Sequence, residues 1–262
     1  MIARVLTVAG SDSSGGAGIE ADLKTITAFG GYGCTCITGL TAQNTLGVQA
    51  VHPVPAAFVA LCLRAVMSDI GVDAIKLGML TNAEIINAVA DNLPTPVKLV
   101  LDPVMVSTSG SALLPDEAVD VLVKKLLPRA TLVTPNLPEA ARLTGLPLET
   151  PTQCLAAGHR LMAMGAQAVL IKGGHAQGAM LTDYLIMGDQ LVTITLPRLK
   201  SQSTHGTGCT LSAAIATGLG QGLPLETAMR RARAYLQTAI ASAPGFGAGH
   251  GPVNHLVAPP HE

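Results

Sequence analysis

Two rhythms of apolar and polar positions run through this chain. Short, nearly continuous apolar runs fall at residues 3–10 (ARVLTVAG), 34–40 (CTCITGL), 74–80 (AIKLGML), 97–104 (VKLVLDPV), 131–136 (TLVTPN) and 168–174 (AVLIKGG). They read as strands buried on both faces. Between them lie segments with apolar residues at helical spacing, at 19–30, 55–71, 82–93, 115–130 and 152–165. The segment 115–130 opens on Pro115, Asp116 and Glu117 and closes on Lys and Arg, the polarity a helix dipole favours. At 180–197 a hairpin-like pair, MLTDYLIMGDQLVTITLP, interrupts the rhythm. Two last helices are expected, one after Gly208 and one over 225–243, and residues 245–262 read as irregular. Strands alternating with helices imply an α/β fold, a mostly parallel central sheet with helices on both faces. No linker or repeat divides the chain, so residues 1–262 read as a single domain.

Composition narrows the classes. Hydrophobic residues make up 48% of the 262 and charged residues 13%, enough for a large core. Aromatics are only 2%, so a ligand ring would pack on aliphatic surface. The net charge of −1 and the lack of a basic stripe argue against nucleic acid. No apolar run reaches the roughly 18 residues of a spanning helix, and no signal peptide is evident. The five scattered cysteines, with no C-x-x-C, suit reduced thiols in the cytoplasm. Cys34 and Cys36 alternate on one strand face and lack a partner pair for a metal.

In open α/β sheets ligands bind beyond the carboxyl ends of the strands. Polar residues collect there: GSDSSGGAG after the first strand, Asp102 in DPVMVSTSG, Asn136 with Glu139 three residues on, and Lys172 in KGGH. Gly16 to Ala21 spells G-x-G-x-x-A, which invites a dinucleotide site. That reading needs an acid about 20 residues later, and no Asp or Glu lies between Asp22 and Asp69. A Walker loop is absent. Asp102 and Glu139 without a Cys/His cage suit Mg²⁺ completed by phosphate and water, though an Asp there can also just cap a turn. Lys172 can neutralise phosphate or simply reach solvent. Gly206, Thr207 and Gly208 precede a helix whose first amides are unpaired, a place for a transferring phosphoryl group. Cys209 stands at that helix start, as a base or a packing residue. A helix N-terminus there would favour its thiolate, opposed by nearby acids. Residues 106–115, rich in Ser, Thr and Gly, are expected to form a mobile flap.

The combination AGSDSSGGAGIEADLKTITAFGGYG, TAQNTLGVQAV, IKLGML, DPVMVSTSG, TPNLPEAARLTG, IKGGH and THGTGCTLSAAIA resembles the hydroxymethylpyrimidine/phosphomethylpyrimidine kinases of thiamine biosynthesis. The likeness covers roughly residues 5–240, and GPVNH in the tail also fits it. It implies a ribokinase-like fold, ATP and Mg²⁺ as cofactors, a homodimer, and a small aminopyrimidine phosphorylated first on its hydroxymethyl group and then on its monophosphate. On this chain the resemblance sets the pyrimidine against Gly10, Ala17, Asp22 and Gln43, with Met79 and Val104 as walls. The Gln43 amide, whose bland reading is a turn residue, can donate and accept at once. Asp102, Asn136 and Glu139 would organise Mg²⁺ and phosphates, Lys172 the nucleotide phosphates, and Thr207 and Gly208 the anion hole. Asp183 would lie near the nucleotide, and Cys209 would be the general base. Arg233 stands where relatives tend to carry a lysine, and its role is open, as are those of His175 and His205. The nearest alternative is pyridoxal or pyridoxine kinase activity on the same fold, less favoured because related pyridoxal kinases often place Asp at the position of Cys209. A catalytically inactive nucleotide-binding regulator and a dinucleotide oxidoreductase are more distant readings.

Overall fold

The computed structural model describes residues 2–107, 109–175 and 178–260. In chain order the elements are β1 (Arg4–Asp12), α1 (Gly18–Ala28), β2 (Tyr32–Asn44), β3 (Gly47–Pro53), α2 (Ala56–Asp69), β4 (Ala74–Leu77), α3 (Ala83–Asn92) and β5 (Lys98–Leu101). Then come α4 (Asp116–Lys125), β6 (Leu132–Val133), α5 (Leu137–Thr144), α6 (Pro151–Ala163), β7 (Val169–Ile171), β8 (Met180–Met187), β9 (Gln190–Pro197), α7 (Thr207–Gly220) and α8 (Leu225–Ala241).

The strands form one sheet in the order β3-β2-β1-β4-β5-β6-β7-β8-β9. From β2 through β7 every pairing is parallel. The outer pairs β2–β3, β7–β8 and β8–β9 are antiparallel. The chain runs outward from β1 to β2 and β3, then crosses to β4 on the other side. That switch opens a crevice at the carboxyl ends of β1 and β4, where ligands bind in such sheets.

The buried strands read as continuous apolar runs because each of their faces meets a helical layer. Leu99, Leu101, Val133 and Ile171 face one core with residues of α2 to α6. Val100, Leu132, Leu170 and Leu185 face the other, against α7 and α8. Small residues let α7 run through that second core, where Thr210 to Leu219 are all buried. A Cβ on Gly218 would come within 2.9 Å of Ala228 Cβ, so the close approach to α8 requires glycine. Cys34 and Cys36 share the buried face of β2. The 180–197 hairpin is β8–β9, as the pattern predicts.

Two elements escape the sequence reading. β3 is an exposed edge strand without an apolar rhythm. α5 has eight residues, yet it carries a start signal: Asn136 and Glu139 form a capping box and Pro138 sits in its first turn. β2 also extends farther than expected, so Gln43 lies on its last residues and not in a turn.

Candidate active site

The site forms where the carboxyl ends of β1, β2, β4, β5, β6 and β7 and the start of α7 converge on a cavity of about 410 Å³. Gly10, Asp12, Ala17, Gln43, Met79, Asp102, Val104, Asn136, Glu139, Lys172, Asp183 and residues 206–209 all line it. Asp22 does not. Its carboxylate is fully buried, accepting from Lys76 Nζ at 2.8 and 3.0 Å and from Thr7 Oγ1 at 2.5 Å. The expectation that Asp22 touches the ligand is therefore corrected. It anchors Lys76, whose buried side chain lines the cavity from β4.

Glycine geometry explains how the loops meet. Gly206 has φ of 77°, and a Cβ there would sit 1.8 Å from Gly16 O, so the loops before α1 and α7 touch backbone to backbone. A Cβ on Gly208 would meet Lys172 Nζ at 3.3 Å and Asp102 Oδ2 at 3.4 Å. The start of α7 therefore faces that ion pair directly. Among the described residues no side chain caps α7, and Thr207 N–H reaches Thr204 O at 3.4 Å. Its first turn presents the unpaired amides and partial positive charge that hold an anion.

Opposite those amides, Lys172 donates to Asp102 Oδ1 at 2.7 Å and lies 3.9 Å from Glu139 Oε2. Thr134 Oγ1 also donates to Asp102, at 3.1 Å. Burial pushes the Asp102 carboxyl upward, but Lys172 and then Lys76 hold it below its ordinary value. Glu139 has weaker support: burial, with the charge of Asp102, raises it to about 7 against the pull of Lys172. One ammonium between two buried carboxylates leaves negative charge incompletely offset. The donor set is all oxygen, and no group of three His, Cys, Asp or Glu that could hold a metal occurs among the described residues. That chemistry fits Mg²⁺, which takes one or two carboxylates and completes its shell with phosphate and water. Asn136 has a local duty as well, since its Oδ1 accepts from Glu139 N at 2.8 Å as the cap of α5.

Cys209 lies within electrostatic reach of Lys76. Burial raises its thiol to about 11; Lys76 is the main charge opposing this, Asp22 and Asp102 add to it, and the Gly18 amide opposes it. Burial thus outweighs the charge of Lys76 and the Gly18 amide, and the thiol lies above its ordinary value, not below it. At the far end Asp183 accepts from Gly173 N at 2.8 Å, and its Oδ2 lies 3.1 Å from Arg233 Nε. Asp183 is thereby braced within the protein, and Arg233 lines the same end of the cavity. The flap segment folds back on itself through a Val106–Ala112 bridge and a Ser107 N–H to Ser111 O bond of 2.9 Å. Within that segment Thr108 lies outside the described residues.

The sequence reading missed Lys76 and His255 and left the role of His205 open. Lys76 was signalled only by a charge inside an apolar strand. His205 donates to Asp12 Oδ2 at 2.7 Å, tying the α1 loop to the α7 loop. The tail returns to the same place, with His205 N–H on Gly251 O at 3.1 Å and His255 Nε2 2.9 Å from Thr210 Oγ1.

An open α/β sheet, a helix N-terminus without a cap and buried carboxylates facing it define a phosphotransferase of ribokinase-like fold. A family model described as phosphomethylpyrimidine kinase matches residues 12–254, and the chain belongs to that family. It is 51% identical to the hydroxymethylpyrimidine/phosphomethylpyrimidine kinase of Rhizobium meliloti, over 98% of each chain. It is 52% identical to the thiamine biosynthesis bifunctional protein of Geobacter sulfurreducens, covering 97% of this chain but 52% of that longer protein. Among solved structures, an ADP complex of Bacillus subtilis pyridoxal kinase superposes with a TM-score of 0.90 at 35% identity, over 97% of this chain and 98% of the other.

Proposed function

We propose that this protein transfers the γ-phosphoryl group of ATP to the hydroxymethyl oxygen of 4-amino-5-hydroxymethyl-2-methylpyrimidine, and then phosphorylates the monophosphate to the diphosphate, in thiamine biosynthesis. The observation that carries the reading is the uncapped start of α7 facing Lys172 and Asp102. Full-length similarity to a kinase named for those two substrates supports the choice of acceptor.

In this reading the pyrimidine lies between Gln43 and the walls made by Gly10, Ala17, Met79 and Val104. Gly10 admits Met79, since a Cβ there would collide with Met79 Cε at 2.2 Å. The amides of Thr207 and Gly208 take the charge that grows on the transferring phosphoryl group. Lys172, with Asn136 and Asp183, serves the nucleotide end. Asp102 and Glu139 would hold Mg²⁺, which when bound offsets charge on the phosphate oxygens. As the thiolate, Cys209 accepts the hydroxymethyl proton on Sγ. Because its thiol ionises near 11, the competent form grows as pH rises, and the first step should quicken with pH above neutrality.

The proposal extends to a single kinase domain over residues 1–262, a homodimer, no nucleic-acid or membrane partner, and a cytoplasmic location. All five cysteines are free, which suits a reducing compartment. No helix among the described residues is long and apolar enough to cross a membrane. A second reading, pyridoxal phosphorylation, draws on the superposition with the Bacillus subtilis enzyme. ADP release measured side by side with hydroxymethylpyrimidine, its monophosphate and pyridoxal tests both. The main reading expects the two pyrimidines to lead, and pyridoxal as the preferred acceptor would overturn it.

A further inference from the structure

Asp12, His205 and Gln43 meet inside the cavity in a way the transfer chemistry does not use. Asp12 Oδ1 accepts from Ser14 N at 2.8 Å and Ser14 Oγ at 2.8 Å. Its Oδ2 accepts from Gly16 N at 3.0 Å, Ala17 N at 2.8 Å and Ser14 Oγ at 3.0 Å. Every one of these partners is a donor, so Asp12 is an ionised carboxylate. His205 Nε2 lies 2.7 Å from that same Oδ2, with 9% of its side chain exposed. A bare ring nitrogen would set lone pair against lone pair at that distance. Nε2 therefore carries a proton, whether the ring is neutral or charged.

The amide end of Gln43 reaches the same ring nitrogen, its Nε2 position 2.8 Å away. An NH₂ group cannot rest there against a second donor. The amide oxygen and nitrogen exchange places by a half-turn that keeps the side chain's shape, and hydrogen-bond partners decide between the two orientations. Here the proton on His205 decides: it is shared in a three-centre bond between Asp12 Oδ2 and the Gln43 amide oxygen, so Oε1 belongs toward His205 and the NH₂ group toward the cavity. The rest of the arrangement is rigid. Ser13 Oγ accepts from Gln43 N at 2.9 Å and donates to Gln43 O at 2.9 Å, fixing the backbone. The imidazole is clamped against Gly16, where a Cβ would come within 2.5 Å of His205 Cδ2.

We propose that His205 is a specificity-determining positioning residue, which orients the Gln43 amide so that the site reads a hydrogen-bond acceptor, an unprotonated ring nitrogen, on its substrate. The inference rests on the pyrimidine reading of the site and deepens it. Ligands with a carbon in place of that nitrogen lose the contact, because a buried NH₂ group is left unpaired.

The test measures binding of the hydroxymethyl-aminopyrimidine and of the two aminopyridines in which one ring nitrogen is replaced by CH. Wild type, Gln43→Leu, His205→Phe and the double variant are titrated by calorimetry. Gln43→Leu should weaken the pyrimidine about five- to a hundredfold. His205→Phe should weaken it several-fold, leave one aminopyridine unchanged, and add nothing in the double variant. Equal losses for all three ligands, or losses that multiply in the double variant, would make His205 a loop tether only. A ligand-free readout guards against a variant that misfolds. In ¹⁵N-histidine spectra of the wild type, assigned with His205→Gln, Nε2 of His205 should be protonated, and a pyridine-type Nε2 overturns the proposal. Wild type that binds none of the three ligands would instead sink the pyrimidine reading, while the ring-nitrogen spectrum still decides the state of His205.

Discussion

Two glycine-bearing loops enter helices at the mouth of the cavity, and their amides go to different partners. Before α1, the amides of Gly16 and Ala17 point to Asp12 Oδ2 and that of Gly18 faces the Cys209 sulfur. Before α7, no side chain among the described residues caps the helix, and Lys172 stands across from it. One helix entrance already holds an anion, the protein's own carboxylate; the other is left for a ligand's. The difference also disposes of the dinucleotide reading. The G-x-G-x-x-A segment has the glycines, but its loop amides serve Asp12 and cannot also cradle a pyrophosphate. Glycine content alone therefore does not mark a phosphate site. In the proposed site the mark is an uncapped helix start that faces the cavity and Lys172.

The comparison breaks most sharply at Gly206, where the two loops touch. Gly206→Ala puts a methyl group 1.8 Å from Gly16 O and strains a left-handed backbone. We expect kcat to fall by about a thousandfold, the scale of losing a transition-state donor, with a smaller change in nucleotide affinity. Steady-state kinetics beside a thermal melt check this, and near-normal kcat would mean that the loops need not touch.

A smaller effect is expected from Asp12→Asn. Burial pushes the Asp12 carboxyl up, but His205 and Ser14 outweigh it and hold it at about 2. A folded-state value below the unfolded one gives stability that is present above about pH 4 and is lost as pH falls toward 2. Asn at this position should lower stability at pH 7 by about 1–3 kcal/mol and flatten the acid limb of the stability profile. Denaturant melts between pH 2 and pH 7 would show it, and an unchanged acid limb would remove Asp12 from the account.

The smallest effect concerns the flap. Deleting Ser109 to Ser111 should leave phosphoryl transfer within a few-fold while raising ATP hydrolysis relative to it, because closure excludes water. An unchanged ratio with a lower melting temperature would make the segment structural only.

Much of the site was legible because strand ends announce it. Asp102, Asn136, Glu139 and Lys172 each follow a short apolar run, and the parallel sheet brings those ends together. The start of α7 was legible from the glycines that precede a small-residue helix. What local pattern cannot show is a partner far along the chain. Asp22 looked like a loop carboxylate near a ligand, and only the fold reveals Lys76 beneath it, 54 residues away. His205 finds Asp12 across 193 residues. The tail, irregular as expected, packs against the α7 entrance through His255 and Thr210, a pairing with no periodicity to announce it. Cys209 shows a further limit: sequence gives the helix terminus that favours a thiolate, whereas burial, which wins, appears only in three dimensions.

In the proposed mechanism the uncapped start of α7 carries the transfer and Cys209 takes the hydroxymethyl proton. The most direct measurement is the rate of both phosphorylations in Cys209→Ala, with nucleotide binding followed in parallel. The first step should fall about 10²–10⁴-fold and lose its rise with pH. The second step should change little, because its phosphate acceptor is already ionised, and nucleotide affinity should hold. Equal, small losses in both steps would contradict the account and leave Cys209 a packing residue at the head of α7.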